Sequence, residues 1–327
     1  MIFRSALIPA ALALAVAVLA PATAAAQSPA WPTKTVRILV GSPPGGPSDI
    51  VTRLFADKLS QRTRQSVIAE NRPGASNSLA AGVVAKADPD GYTLVLSPDT
   101  VVTVNPIIYP KLNHDPRSEL VNVSVLATFT QMLVCNPGKG IRTAQDLVDK
   151  ARSGRLMYAS GGPGSPGHLA SEMMLSSIGV RMEHIPYRGP APATTAVLGG
   201  EVDCGFLATP TVLPHVRAGK LVALAVSSAQ PSPMAPEVPG LAKALNKPDL
   251  DISFALVLQA PRGTPAAVIT ELERASREIM AMPDIVSRLQ AVDLAPVGSS
   301  HAEAEARIRS EIARWTPVVR KLDLKLE

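Results

Sequence analysis

The sequence predicts an α/β protein of two lobes, each a mostly parallel sheet flanked by helices. Apolar, β-branched runs alternate with helical patterns through both halves of the chain, the signature of βαβ units with right-handed crossovers. Each half carries a glycine-rich turn directly after its first strand, at 41–46 and at 161–167. A chain of 327 residues gives each half the size of a domain able to bury its own core.

The chain opens on an expected export signal over residues 1–26. Arg4 supplies the charged start, Ala6 to Ala20 is apolar, and Ala24, Ala25 and Ala26 offer small residues at the cleavage position before Gln27. That apolar run falls short of the roughly twenty residues a membrane-spanning helix needs. A secreted, periplasmic product beginning at Gln27 is expected.

In the first half, Val36 to Val40 is a strand and the helical pattern Ile50, Val51, Leu54, Phe55, Leu59 follows. Between them lies Gly41-Ser42-Pro43-Pro44-Gly45-Gly46-Pro47-Ser48-Asp49. A strand feeding such a turn into a helix leaves backbone N–H groups at the positive end of the helix dipole, which suits an anion. Ser48 is expected to cap the helix, with Asp49 in its first turn. A tight turn with no ligand explains the same residues equally well. Val67 to Ala69, a small-residue helix through Leu79 and Val84, and the strand Tyr92 to Leu96 complete the unit, which ends in the polar Ser97-Pro98-Asp99-Thr100.

The second half repeats this order. Leu156 to Ala159 is a strand, Ser160 to Gly167 a second glycine-rich turn, and a helix runs through His168, Leu169 and Met174. The strand Met182 to Ile185 leads into Pro186-Tyr187-Arg188-Gly189, then a helix, the strand Val202 to Leu207, a helix over Thr209 to Ala218 and the strand Leu221 to Val226. Ligands of open α/β sheets bind at this carboxyl edge of the strands. The Pro-rich stretch Gln230 to Gly240 is a route back to the first lobe, where Ile252 to Leu258 forms a strand. Thr264-Pro265 starts one C-terminal helix, and Ser300 with Glu303 forms the capping box of the last.

Composition narrows the function classes. The formal charge is +5 and aromatics make up 3% of the chain, so stacking platforms for bases are scarce and nucleic acid is not an expected partner. The five histidines are scattered and there is no CxxC, so no metal and no cofactor is expected. Cys135 and Cys204 each lie in an apolar run; they could pair in an oxidising compartment, but two buried thiols is the favoured reading. Ser165, in Pro163-Gly164-Ser165-Pro166-Gly167, approaches a nucleophile elbow, yet Pro163 replaces the leading glycine and no acid is placed to orient His168. A periplasmic serine hydrolase is therefore the weaker alternative, and the chain is expected not to be an enzyme. Tyr187 and Arg188 are either surface side chains or the cleft wall, Tyr187 giving a hydroxyl and an apolar face and Arg188 attracting an anion.

The motifs, taken in order, resemble the extracytoplasmic receptors of tripartite tricarboxylate transporters, the Bug receptors. The resemblance runs from Trp31-Pro32 through Pro44-Gly45-Gly46 with Asp49, Glu70-Asn71-Arg72-Pro73-Gly74 and Pro89-Asp90-Gly91-Tyr92. It continues through Gly164-Ser165 with His168-Leu169, Pro186-Tyr187-Arg188-Gly189, Gly199-Gly200-Glu201 and Ala218-Gly219-Lys220. It implies a type II periplasmic binding-protein fold, with residues 27–129 and 250–327 in lobe 1 and 130–249 in lobe 2. It also implies capture of a small carboxylate in the interlobe cleft and delivery to a membrane permease, the receptor being monomeric; a ligand-sensing receptor for a signalling partner is the alternative. The implied first-lobe contacts are Pro43, Pro44, Gly45, Gly46, Pro47 and Ser48, with Ser97 and Thr100 at the strand end. Those of the second lobe are Ser160, Gly161, Gly164 and Ser165, with Tyr187, Arg188 and Gly189, and Leu207 and Ala208 after Phe206. The family commonly has Asp-Asn where this chain has Leu207 and Ala208, and an aromatic at Ser42. An apolar wall lacking that carboxylate implies a ligand more apolar than an amino acid or a highly hydroxylated acid.

Overall fold

A computed structural model describes residues 31–324; the expected export signal lies outside the described residues. Val36–Val40 (β1) has four fully buried apolar side chains and pairs in parallel with Val67–Asn71 (β2) and Thr93–Pro98 (β3). This is the parallel βαβ portion that the first half of the sequence calls for. Leu120–Phe129 (β4) follows, and it leads through the single residue Thr130 into Gln131–Cys135 (β5) of a different sheet.

The second sheet gathers Met157–Ser160 (β6), Glu183–Pro186 (β7), Cys204–Ala208 (β8) and Val222–Val226 (β9) in the order β7-β6-β8-β5-β9. The chain then returns to the first sheet as Phe254–Pro261 (β10) and Leu294–Pro296 (β11), giving the order β11-β4-β10-β3-β1-β2. Each sheet is parallel in its βαβ portion, and β4, β5, β9, β10 and β11 add antiparallel pairs to it. The fold is that of a two-lobed periplasmic binding protein.

The two passages between sheets are tied to one another. Ser227 donates its N–H to the Gln131 carbonyl at 2.8 Å and accepts the Gln131 N–H on its hydroxyl at 2.9 Å. The same hydroxyl donates to the Ile252 carbonyl at 2.7 Å. A buried hydroxyl thus satisfies backbone groups that neither sheet reaches at the crossing.

Three local expectations need correction. Cys135 lies directly opposite Cys204 in the antiparallel β5–β8 pair and the two form a disulfide, so they are not two thiols. Ser48 is not a cap: the N-cap is Gly46, two residues earlier, and the helix Pro47–Thr63 has Pro47 in its first position, where a missing N–H costs nothing. The helix Ala266–Met280 begins after Pro265, and Thr264 instead donates its hydroxyl to the Pro261 carbonyl. The Ser300–Glu303 capping box forms as expected and starts the helix His301–Lys321. That helix seats Trp315 against Phe254, ring centroids 5.9 Å apart.

Candidate functional site

The carboxyl ends of β1, β6 and β8 surround a cavity of about 260 Å³ between the two sheets, a size suited to a small ligand. Four helices start on its wall. Pro47 and Ser48 open one helix, Asn77 precedes Ser78–Ala85, Ser165 caps Pro166–Ile178, and Gly189 precedes Pro190–Gly199. Each contributes the positive end of its dipole. Among the residues lining the cavity there is no carboxylate, and Arg188, exposed at the rim, is the one formal charge.

The glycine-rich turns use most of their own amides. The Gly45 N–H goes to the Asp49 carboxylate at 3.0 Å, and the Asn71 carboxamide bridges the Ser42 carbonyl and Asp49, each at 2.9 Å. Burial alone would raise the Asp49 carboxyl, but hydrogen bonds from Arg53, the Gly45 amide and Asn71 outweigh it and hold it below its ordinary value. In the second turn, the Gly162 N–H goes to the Ser160 hydroxyl at 3.1 Å and the Gly164 N–H to His168 Nδ1 at 3.0 Å. Ser165 gives its N–H to the Gly162 carbonyl at 3.1 Å. Among the described residues of the two turns, the Ser42, Gly46, Ser48, Asp49, Gly161 and Gly167 amides have no backbone acceptor. These are the amides that the expected anion socket retains.

Beneath the second turn three rings stack. His168 lies over His184 with centroids 4.2 Å apart, and His184 over Tyr158 at 4.8 Å. Burial, with His184 alongside, pushes His168 down to about 3, and burial pushes His184 down to about 4, so both rings are neutral at physiological pH. His184 Nε2 lies 2.6 Å from the Ser160 hydroxyl. Ser165 caps its helix, accepting the His168 N–H at 3.4 Å, while His168 Nδ1 is occupied by Gly164. A base so engaged is not free to take a proton from Ser165.

Nine of the residues expected from the sequence line the cavity: Pro47, Ser48, Gly161, Ser165, Tyr187, Arg188, Gly189, Leu207 and Ala208. The Tyr187 hydroxyl donates to Glu201 at 2.9 Å; its proton is held up to about 12 by burial and by that carboxylate. Ser97 and Thr100 are fully buried behind the wall, Ser97 donating to Gln259 at 3.1 Å, and Pro98 is the residue of that strand end that reaches the cavity. Ser160 and Gly164 also stay behind the surface, bracing the turn. Pro44 and Gly45 face outward. Pro43 and Gly46 sit where the lobes touch: a Cβ on Gly189 would fall 2.7 Å from Pro43 Cδ, and one on Gly46 would fall 3.1 Å from Pro190 Cγ.

Sequence reasoning missed Gly41, Ser42, the turn Gly74–Asn77, Tyr109, Phe129 and Gln131, all on the cavity wall. The Asn-Arg-Pro-Gly turn before Ala75 was a visible signal, but nothing local aims it at the other lobe. Ala75, Ser76 and Asn77 have φ of 43, 46 and 75°, three successive left-handed residues. That conformation turns the chain toward the cleft at an energetic cost.

Comparison with known proteins gives a consistent result. The family described as the tripartite tricarboxylate transporter family receptor matches residues 51–324. Protein BugT of Bordetella pertussis is 33% identical over 300 residues, spanning 91% of this chain and 92% of that protein. An R. palustris protein solved with adipate superposes with a TM-score of 0.86 at 30% identity, covering 90% of this chain and 98% of that one. MatC from Rhodopseudomonas palustris, with bound malate, gives a TM-score of 0.83 at 26% identity over 88% of this chain and 100% of that one.

Proposed function

Because the chain belongs to the tripartite tricarboxylate transporter family of receptors, a family of binding proteins and not of enzymes, we propose that it captures a small carboxylate in the cleft between its lobes and delivers it to a tripartite membrane permease. It acts in the periplasm as a monomer. Lobe 1 comprises residues 27–129 and 250–327, and lobe 2 residues 130–249.

The observation that carries this reading is the convergence of four helix N-termini on a cavity with no carboxylate in its wall. Each helix end favours an anion by about 0.3–1 kcal/mol, and a charge-assisted hydrogen bond adds about 1.5–3 kcal/mol. Ser48 and Ser165, at the ends of two opposed helices, hold the carboxylate with the Ser48, Asp49 and Gly161 amides. Pro47, Phe129, Phe206, Leu207 and Ala208 enclose its apolar part, and Arg188 draws it in from the rim. Relatives solved with adipate and with malate support a small organic acid as the ligand class.

The test is a thermal-shift and calorimetric panel of mono- and dicarboxylates beside sugars, cations and amino acids. At a hundred times its dissociation constant a ligand stabilises by about 2.7 kcal/mol. Carboxylates that raise the melting temperature support the reading, and stabilisation by sugars or cations alone contradicts it.

A further inference from the structure

Two carboxamides on the cavity wall have hydrogen-bonding capacity that the protein itself does not use. Asn77 is 8% exposed, and its Oδ1 is buried without a donor. Gln131 is 3% exposed and gives an Nε2 hydrogen to the Thr130 carbonyl at 3.3 Å. Its Oε1 lies beside Gly167, also on the wall, where an added Cβ would approach to 3.5 Å. Buried carboxamide oxygens are ordinarily satisfied, so the Asn77 oxygen calls for a donor that arrives with the ligand, and the Gln131 oxygen, unpartnered among the described residues, is open to accept one as well.

The Asn77 group is held in place. Asparagine is among the few side chains that tolerate its φ of 75°. Asn105 fixes the preceding turn by donating to the Ser76 carbonyl at 3.0 Å, and Gly41 packs so closely that a Cβ there would fall 2.5 Å from Asn77 Cβ. Rotating the carboxamide by 180° exchanges its donor and acceptor but leaves one of each.

Chemistry then discriminates among the far ends a bound acid can carry. A second carboxylate has no hydrogen to offer either oxygen. An ammonium has hydrogens, but no anionic side chain lines the cavity to offset its desolvation. An uncharged amide or alcohol donates without bringing a charge, and an amide also accepts the remaining carboxamide hydrogen. We propose that Asn77 and Gln131 form a neutral subsite selecting monocarboxylates whose second polar group is an uncharged N–H or O–H donor, an amide above all, over dicarboxylates and amino acids. This rests on the reading of the cavity as a carboxylate site.

The test is calorimetric titration with acids of four and six carbons that differ only at the far end. At six carbons these are adipamate, 6-hydroxyhexanoate, adipate, 6-aminohexanoate and hexanoate. The amide acid is expected to bind at least tenfold more tightly than its dicarboxylate and its amino acid at one of the two lengths. In Asn77→Asp, which keeps the side-chain size and the tolerance for left-handed backbone, the amino acid is expected to gain at least tenfold relative to the amide. Dicarboxylates that match or outbind the amides at both lengths overturn the proposal while leaving the carboxylate reading intact. An Asn77→Asp variant with the wild-type order of affinities also overturns it. If no carboxylate of the wider panel binds, both readings fall.

Discussion

The Tyr109 hydroxyl donates to the Pro163 carbonyl at 2.7 Å, joining a segment that follows the first sheet's β3 to the glycine-rich turn of the second sheet. Ser76 donates to the same carbonyl at 2.5 Å. Both bonds cross the mouth of the cavity, so both exist only when the lobes are together. Tyr109→Phe removes one neutral hydrogen bond, worth about 0.5–1.5 kcal/mol. Ligand affinity is expected to fall by about two- to tenfold by calorimetry, with a faster off-rate and little change in unfolding midpoint without ligand.

Gly189 makes the closest approach on the opposite rim. Its φ is +117°, and a Cβ would lie 2.7 Å from Pro43 Cδ. Gly189→Ala therefore holds the rims apart and is expected to weaken binding by at least tenfold in the same titration. Affinity equal to wild type would show that the ligand is held without this contact.

Arg188 contributes at the rim, where charges act more on encounter than on the final complex. In Arg188→Gln the association rate measured by stopped flow is expected to drop, and its dependence on ionic strength to flatten. The dissociation rate is expected to stay near wild type.

The stacked histidines make stability depend on pH. Their folded-state values, about 3 for His168 and about 4 for His184, lie below the ordinary histidine value. Below that ordinary value the unfolded chain takes up protons that the folded chain refuses, so each ring lowers stability by up to about 1.4 kcal/mol per pH unit as pH falls from 6.5 toward 4. Asp99 works in the opposite sense: burial, with Glu311 alongside, raises it to about 7. Its folded carboxyl keeps a proton that the unfolded chain releases, so its contribution grows as pH falls through the same window. Asp293, also raised by burial, acts with Asp99, while His114 and the lowered carboxylates Asp49 and Glu70 act with the stacked histidines, so the groups that lose stability outnumber those that gain it on acidification. Denaturant titrations at pH 4.5 and 6.5 are expected to show lower stability at 4.5, and His184→Gln, which retains a partner for the Ser160 hydroxyl, to reduce the difference.

The Cys135–Cys204 disulfide spans 69 residues of sequence, and closing a loop of that length in the unfolded chain is worth about 4 kcal/mol by chain entropy. The Cys135→Ser/Cys204→Ser double variant is expected to lose about 2–4 kcal/mol in urea, and reductant to destabilise wild type but not the variant.

Much of the scaffold is legible residue by residue, because β-branched runs such as Val36–Val40 and the Ser300–Glu303 capping box carry local signals that the fold keeps. The strand Leu120–Phe129 shows no such signal: eight of its ten residues are buried, six of them in an unbroken run rather than alternating, so no period marks it. The site was harder. Pro47, Ser48 and Ser165 are visible as turn residues, but which amides remain free depends on the Asp49 carboxylate and the His168 ring reaching back into their own turns. Asn77 and Gln131 carry no motif. They reach the cavity because of a left-handed turn and a crossing between sheets, and both are properties of the assembled chain.

A crystal structure of the receptor with its tightest carboxylate tests the central claim most directly. The expected result is a carboxylate hydrogen-bonded to Ser48 and Ser165 between the opposed helix ends. A carboxylate bound elsewhere, or a cation between those two serines, would contradict it.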